Sequence, residues 1–136
     1  MDKKKLNETL IEIAELKNKL ASTDYNDASY DDMEEELHDL EDEFMDEFGD
    51  ILEDILSDIH EELCPDSEVL MPIAYLANQY TQISDDEFAL PASEGVIVDA
   101  EAEEYDGKLV RLAIVPGPAR IEISSSSKAR KVIWKA

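Results

Sequence analysis

The apolar positions of this chain repeat with two different periods, and the change from one to the other divides it. From Asp31 to Glu62 they fall at Met33, Leu37, Leu40, Phe44, Phe48, Ile51, Leu52, Ile55 and Ile59, with Leu63 just beyond. Steps of three and four put these residues on one stripe of a helix. The same stretch carries 17 Asp and Glu and no Lys or Arg, so the other faces are carboxylate. An earlier stripe of Leu6, Leu10, Ile13, Leu16, Leu20 and Ala21 predicts a first helix over residues 3–21. It should stop near Ser22-Thr23-Asp24, whose short polar side chains compete for backbone hydrogen bonds. Ser29 is placed to cap the second helix, with Asp31 and Asp32 favoured at the positive end of its dipole. Pro65 ends that helix at or before Cys64.

A helix over 30–63 would run about 50 Å, more than the first helix can cover. Either Gly49 breaks it or its uncovered length meets something else. An antiparallel helical hairpin is the expected arrangement, with self-association the next reading.

Residues 66–94 carry the weakest pattern. Val69-Leu70-Met71 reads as a strand. Ile73, Leu76, Ala77, Tyr80 and Ile83 fit a short helix with Pro72 in its first turn. Ser84-Asp85-Asp86 starts a turn, and Pro91 with Gly95 marks a loop. From Gly95 the period becomes two: Val96, Val98, Ala100 and Ala102 share one strand face, then Val110, Leu112 and Ile114 share another. A three-residue loop, Tyr105-Asp106-Gly107 with Gly107 left-handed, would pair Ala102 with Val110, Ala100 with Leu112 and Val98 with Ile114. It would also set Glu101 opposite Arg111 and Glu104 opposite Lys108. Pro116-Gly117-Pro118 turns the chain into strands at 120–124 and 131–135.

The predicted fold is therefore α+β, an N-terminal acidic helical hairpin followed by a three- to four-stranded antiparallel β-meander. Residues 1–64 form the hairpin segment and 65–136 the mixed segment, together one compact domain with one sheet face on the helices.

Composition sharpens this picture. With 43% apolar residues in 136 the chain can build a core. Its net charge of −23 sets it against free nucleic acid and anionic membranes as direct partners. No run is long enough to span a bilayer, and the start of the chain lacks the apolar core of a signal peptide. A single cysteine, Cys64, excludes an internal disulfide framework, and a cytoplasmic location is the default expectation.

The charge is also segregated. Residues 20–107 carry 30 acidic and no basic side chains, whereas residues 108–136 carry seven basic and one acidic. Such a block repels itself unless the C-terminal strands, a second copy or a basic partner neutralises it. Three readings follow: a solvated face, a docking surface for a basic protein, and mimicry of nucleic acid. Carboxylates at one per about 2.8 Å of helix approach the roughly 1.7 Å per phosphate of a duplex, but they encircle the helix rather than follow two strands.

Catalytic and metal motifs are weak. The Glu35-x-x-His38 step has the spacing of di-metal bundles, but no second motif accompanies it, and a solvated histidine is the default. Cys64 follows a helix C-terminus, where the dipole raises its pKa, so it reads as a buried structural thiol. Ser124–Ser127 before Lys128 and Lys131 resembles a basic-directed phosphorylation context, with a polar hairpin loop as the plainer reading. Trp134 and most of the five tyrosines read as packing.

The expectation is a non-catalytic protein-interaction module that presents its acidic helix to a basic protein, as an inhibitor, immunity-type protein or adaptor would. Glu34, Asp39, Asp42, Glu43, Asp46, Glu47, Asp50, Asp54 and Asp58 are the candidate contact residues. No catalytic residue, cofactor or metal is assigned. The alternative is a homodimer or larger assembly built by pairing the apolar stripe in trans.

Overall fold

The computed structural model describes residues 1–125 and 128–136. Helix α1 spans Lys3–Ala21 and buries Leu6, Leu10, Ile13, Ala14 and Leu16. The Asp2 carboxylate caps its start by accepting from the Lys5 N–H at 3.0 Å. Its end is set as the sequence predicts, with the Ser22 and Thr23 hydroxyls both donating to the Lys19 carbonyl. Helix α2 spans Tyr30–Leu63 and stops before Pro65, with Cys64 at its C-cap. Ser29 occupies the N-cap position, but its side chain does not cap the helix. Its hydroxyl donates to Asp27 Oδ1 at 2.7 Å instead, because the turn before the helix already holds that carboxylate beside it. The helices are antiparallel: Lys5 at the start of α1 pairs with Glu47 of α2 at 2.8 Å.

Gly49 does not break α2. The helix stays whole because its cover changes along its length. The sheet carries Leu112, Ile114, Ile121 and Ile123 into the same core as Phe44, Phe48, Leu52 and Leu56, extending the cover beyond the reach of α1. Gly49 therefore sits inside a continuous helix, where glycine costs about 0.5–1 kcal/mol relative to alanine. A Cβ there would approach only the flexible tip of Met45, its Cε at 3.2 Å. Gly49→Ala is expected to stabilise the protein by up to about 1 kcal/mol in urea unfolding.

After α2 the chain departs from its predicted elements. Val69–Met71 forms no strand, and the helix expected from Ile73 is reduced to one 3₁₀ turn, Pro72–Tyr75. Beyond it lie two short strands, β1 (Thr81–Ser84) and β2 (Glu87–Ala89), paired antiparallel across the turn expected at Asp85-Asp86. Tertiary partners explain the difference. The Asn18 amide grips both backbone groups of Tyr80, donating to its carbonyl at 2.9 Å and accepting its N–H at 2.8 Å. The Ala77 N–H donates to the Tyr80 hydroxyl. Groups that a helix would pair internally are thereby committed elsewhere.

Four further strands form an antiparallel sheet in chain order: β3 (Val96–Val98), β4 (Val110–Val115), β5 (Arg120–Ser125) and β6 (Lys128–Lys135). The meander is as predicted, but the β3–β4 register is not. Val96 faces Leu112, Ile97 faces Arg111 and Val98 faces Val110, and the three-residue loop becomes an eleven-residue connection, 99–109. Glu101 does not oppose Arg111. Its N–H donates to the Leu63 carbonyl at the end of α2, and the Asp99 N–H donates to Ser67 Oγ. These contacts pull the chain off β4 after Val98. The shift is even, so Val98, Val110 and Leu112 keep the inward face that alternation assigned them. Gly107 is left-handed as expected, at φ 70°. Strand β6 starts three residues earlier than predicted. Ser126 and Ser127 of the Ser124–Ser127 stretch lie outside the described residues.

The opposite sheet face is covered as well. Ala113 and Val115 pack in a second core with Ala77, Tyr80, Phe88 and Leu90, so the β1–β2 hairpin closes this side. The turn Pro116-Gly117-Pro118 lies under that hairpin. A Cβ on Gly117 would collide with the Asp86 carbonyl and the Glu87 Cα, so the close approach requires glycine.

Candidate functional site: the acidic helix face

Steps of i,i+4 trace four ridges along a helix, roughly a quarter-turn apart. On α2 one ridge, Phe44, Phe48, Leu52, Leu56 and His60, is buried throughout. The ridge opposite it reads Glu34, His38, Asp42, Asp46, Asp50, Asp54, Asp58 and Glu62, and every member is exposed. Successive members stand about 6 Å apart. A flanking ridge carries Asp39, Glu43 and Glu47, and from Ile51 onward turns apolar with Ile55, Ile59 and Leu63. The nine candidate contact residues therefore lie on two adjacent ridges: Glu34, Asp42, Asp46, Asp50, Asp54 and Asp58 on the outer one, and Asp39, Glu43 and Glu47 beside it. Glu62 belongs to the outer ridge too, and i,i+4 counting from Asp58 would have found it.

Among the described residues, few ion pairs neutralise the acidic helix from within. Glu47 pairs with Lys5, whose pKa is raised by that hydrogen bond and by the charges of Glu47, Asp2 and Glu43. Lys17 is turned inward to donate to the Ala77 carbonyl at 3.0 Å, and burial lowers its pKa. Arg120 is committed to Glu122 at 2.6 Å. Arg130, Lys131 and Lys135 are exposed on β6. Among the described residues, no cation is in ion-pair contact with the outer ridge. Among the described residues, the C-terminal strands thus make no ion pair with the acidic ridge.

Other candidates resolve into structure. His38 is exposed on the outer ridge. Among the described residues, no group of three or more His, Cys, Asp or Glu side chains is placed to hold a metal. Cys64 is buried, and burial with the nearby Asp99 charge pushes its thiol pKa up. Tyr75, Tyr80 and Tyr105 are core residues, while Tyr25 is exposed and Trp134 packs on the core edge.

Sequence reasoning missed one polar cluster. His60 is 2% exposed. Its Nδ1 lies 3.0 Å from the Ser67 carbonyl, and its Nε2 lies 2.7 Å from the Tyr75 hydroxyl, which also accepts from the Leu70 N–H. A carbonyl can only accept, so Nδ1 donates to it, and in the neutral ring Nε2 then accepts from the Tyr75 hydroxyl. Every atom is satisfied, and the cluster ties the 64–75 segment to α2. The signal was present in the spacing, since His60 continues the series Phe44, Phe48, Leu52, Leu56.

Fold and face together define an α+β protein whose long acidic helix backs onto an antiparallel sheet. No protein-family model, curated protein or solved structure matches the chain. No helix among the described residues is long and apolar enough to cross a membrane.

Proposed function

We propose that this protein is a non-catalytic binding module whose helix α2 docks a basic protein through the ridge Asp42–Glu62 and its acidic neighbours. One observation carries the reading: six exposed carboxylates, Asp42, Asp46, Asp50, Asp54, Asp58 and Glu62, follow one another at i,i+4 spacing, and no cation among the described residues is in ion-pair contact with them. Each like-charge pair at that spacing disfavours a helix by about 0.2–0.5 kcal/mol at low salt. Five such pairs in succession act against the helix that carries them, and a cationic surface laid along the row reverses the sign of that term. Attraction between such fields speeds association and fades with salt.

The test is capture from native cell extract on immobilised protein, eluted by a salt gradient, with wild type beside the triple charge reversal Asp50→Lys, Asp54→Lys, Asp58→Lys. The docking reading expects a basic protein on the wild type, released at a defined salt step and absent from the variant. The same proteins on both baits would refute it. Light scattering addresses self-association, since a monomer at every salt concentration excludes an assembly role.

A further inference from the structure

The acidic ridge has an apolar neighbour over its second half, and the pair constrains the shape of what can bind. This inference rests on the docking function proposed above. Beside Asp50, Asp54, Asp58 and Glu62 run Ile51, Ile55, Ile59 and Leu63. Ile51 is 41% exposed, and the other three are only partly covered. Beyond them a groove separates α2 from β6, with Ile59, Glu62 and Leu63 on one wall and Lys131, Val132 and Ile133 on the other. Val132 is 48% exposed at its rim.

A second copy is a poor occupant. Pairing α2 with itself across Ile51 and Ile55 would bring two rows of carboxylates together on molecules of net charge −23. Strand addition to β6 fits no better. That edge has two register irregularities, between Ile121/Glu122 and Ile123/Ser125, and carries Arg130, Lys131 and Lys135, features that protect an edge from pairing. A strand also places its two kinds of side chain on opposite faces, whereas the acidic and apolar rows of α2 lie side by side. An amphipathic helix carries adjacent stripes, and its own i,i+4 pitch of about 6 Å matches that of the carboxylates.

We propose that the partner segment is a basic amphipathic helix. Its apolar stripe lies on Ile51, Ile55 and Ile59, and Lys or Arg side chains at i,i+4 meet Asp50, Asp54 and Asp58. This is helix-on-helix docking in which the apolar ridge sets the orientation and the charge sets the sign of the partner.

Fluorescence anisotropy with two synthetic probes of about 18 residues tests this, at about 0.15 M salt. One is a Leu/Ala/Lys peptide with a leucine stripe flanked by lysines at i,i+4. The other is the same composition scrambled to remove the stripe. Any cationic peptide feels the acidic field, so the preference between the two is the readout. The amphipathic probe is expected to bind wild type at least about tenfold tighter than the scrambled one. Ile51→Gln should remove most of that preference while circular dichroism shows the helix retained, because Ile51 is 41% exposed and glutamine suits a helix. Equal binding of the two probes to wild type, both lost on the Asp50/Asp54/Asp58 charge reversal, would overturn the helix inference and leave acidic docking standing. Binding of both probes that survives the charge reversal would overturn both.

Discussion

Replacing Arg120 with methionine is expected to lower stability by about 3–5 kcal/mol, a large share of the roughly 5–15 kcal/mol that holds a domain folded. The guanidinium makes four short contacts. Nε lies 2.6 Å from Glu122 Oε2, Nη1 donates to the carbonyls of Pro116 and Pro118 at 3.0 and 2.8 Å, and Nη2 donates to the Phe88 carbonyl at 2.8 Å. The Arg120 and Glu122 side chains are only 13% and 6% exposed. One side chain thus ties together the start of β5, the 116–118 turn and the β1–β2 hairpin that covers the outer sheet face. Its loss leaves the Glu122 carboxylate buried without its cation, and that desolvation dominates the cost. The double variant Arg120→Met, Glu122→Leu removes the stranded charge and should recover more than half of the loss in urea unfolding. A single variant as stable as wild type would show that the hairpin is held by Phe88 and Leu90 alone.

Tyr80→Phe is expected to cost about 2–3 kcal/mol at neutral pH. The Tyr80 hydroxyl donates to the Ile114 carbonyl at 2.7 Å and accepts from the Ala77 N–H at 2.9 Å, in a site where Tyr80 is 3% exposed. Phenylalanine keeps the ring and its edge-on contact with Phe88 but leaves both backbone groups with one partner fewer. The same residue gives the stability a pH dependence. Burial pushes the Tyr80 phenol above its ordinary range, and burial also raises Tyr75. In these acids the neutral form is the one the fold holds. Their contribution is complete below the unfolded-state value, about 10 for tyrosine, and is lost as pH rises beyond it. Wild-type stability should therefore fall on the alkaline side, with Cys64 adding a loss that begins near pH 8.5. Tyr80→Phe should show a lower plateau and a shallower decline between about pH 10 and 11.5. Parallel alkaline limbs in the two proteins would contradict the assignment.

Arg120 and Tyr80 also mark where the sequence stops being legible. The two helices can be read from their apolar spacing, and the ends of α1 and α2 from Ser22-Thr23 and Pro65, because those signals are local. The stretch from Val69 to Ala89 takes its form from residues far along the chain: Asn18 holds the backbone of Tyr80, Ile114 accepts from its hydroxyl, and Arg120 holds Phe88. None of these partners leaves a mark in the local pattern, so Ile73, Leu76, Ala77 and Tyr80 mimic a helix. The β3–β4 register fails for the same reason. Alternation runs on through Ala100 and Ala102, but the Leu63 carbonyl and Ser67 hydroxyl take the backbone of that segment. The candidate face was the most legible feature, since both its acidity and its i,i+4 order are written in residues 34–62. The adjoining ridge of Ile51, Ile55 and Ile59 reads in the sequence as part of the same apolar stripe as Phe44, Phe48 and Leu52. Only the arrangement of α1 and the sheet around α2 leaves it partly in water.

The central claim is that the outer ridge of α2 touches a basic protein. Site-specific photo-crosslinking in native extract tests it with little disturbance to the charge. A photoreactive phenylalanine replaces Asp54 on the ridge in one preparation and Asp85, in the exposed β1–β2 turn, in another. Docking along the ridge predicts a crosslinked adduct with a basic protein from position 54, weakened by added salt, and none from position 85. The same adducts from both positions, or none from position 54, would contradict it and leave the acidity of α2 as a solvated face.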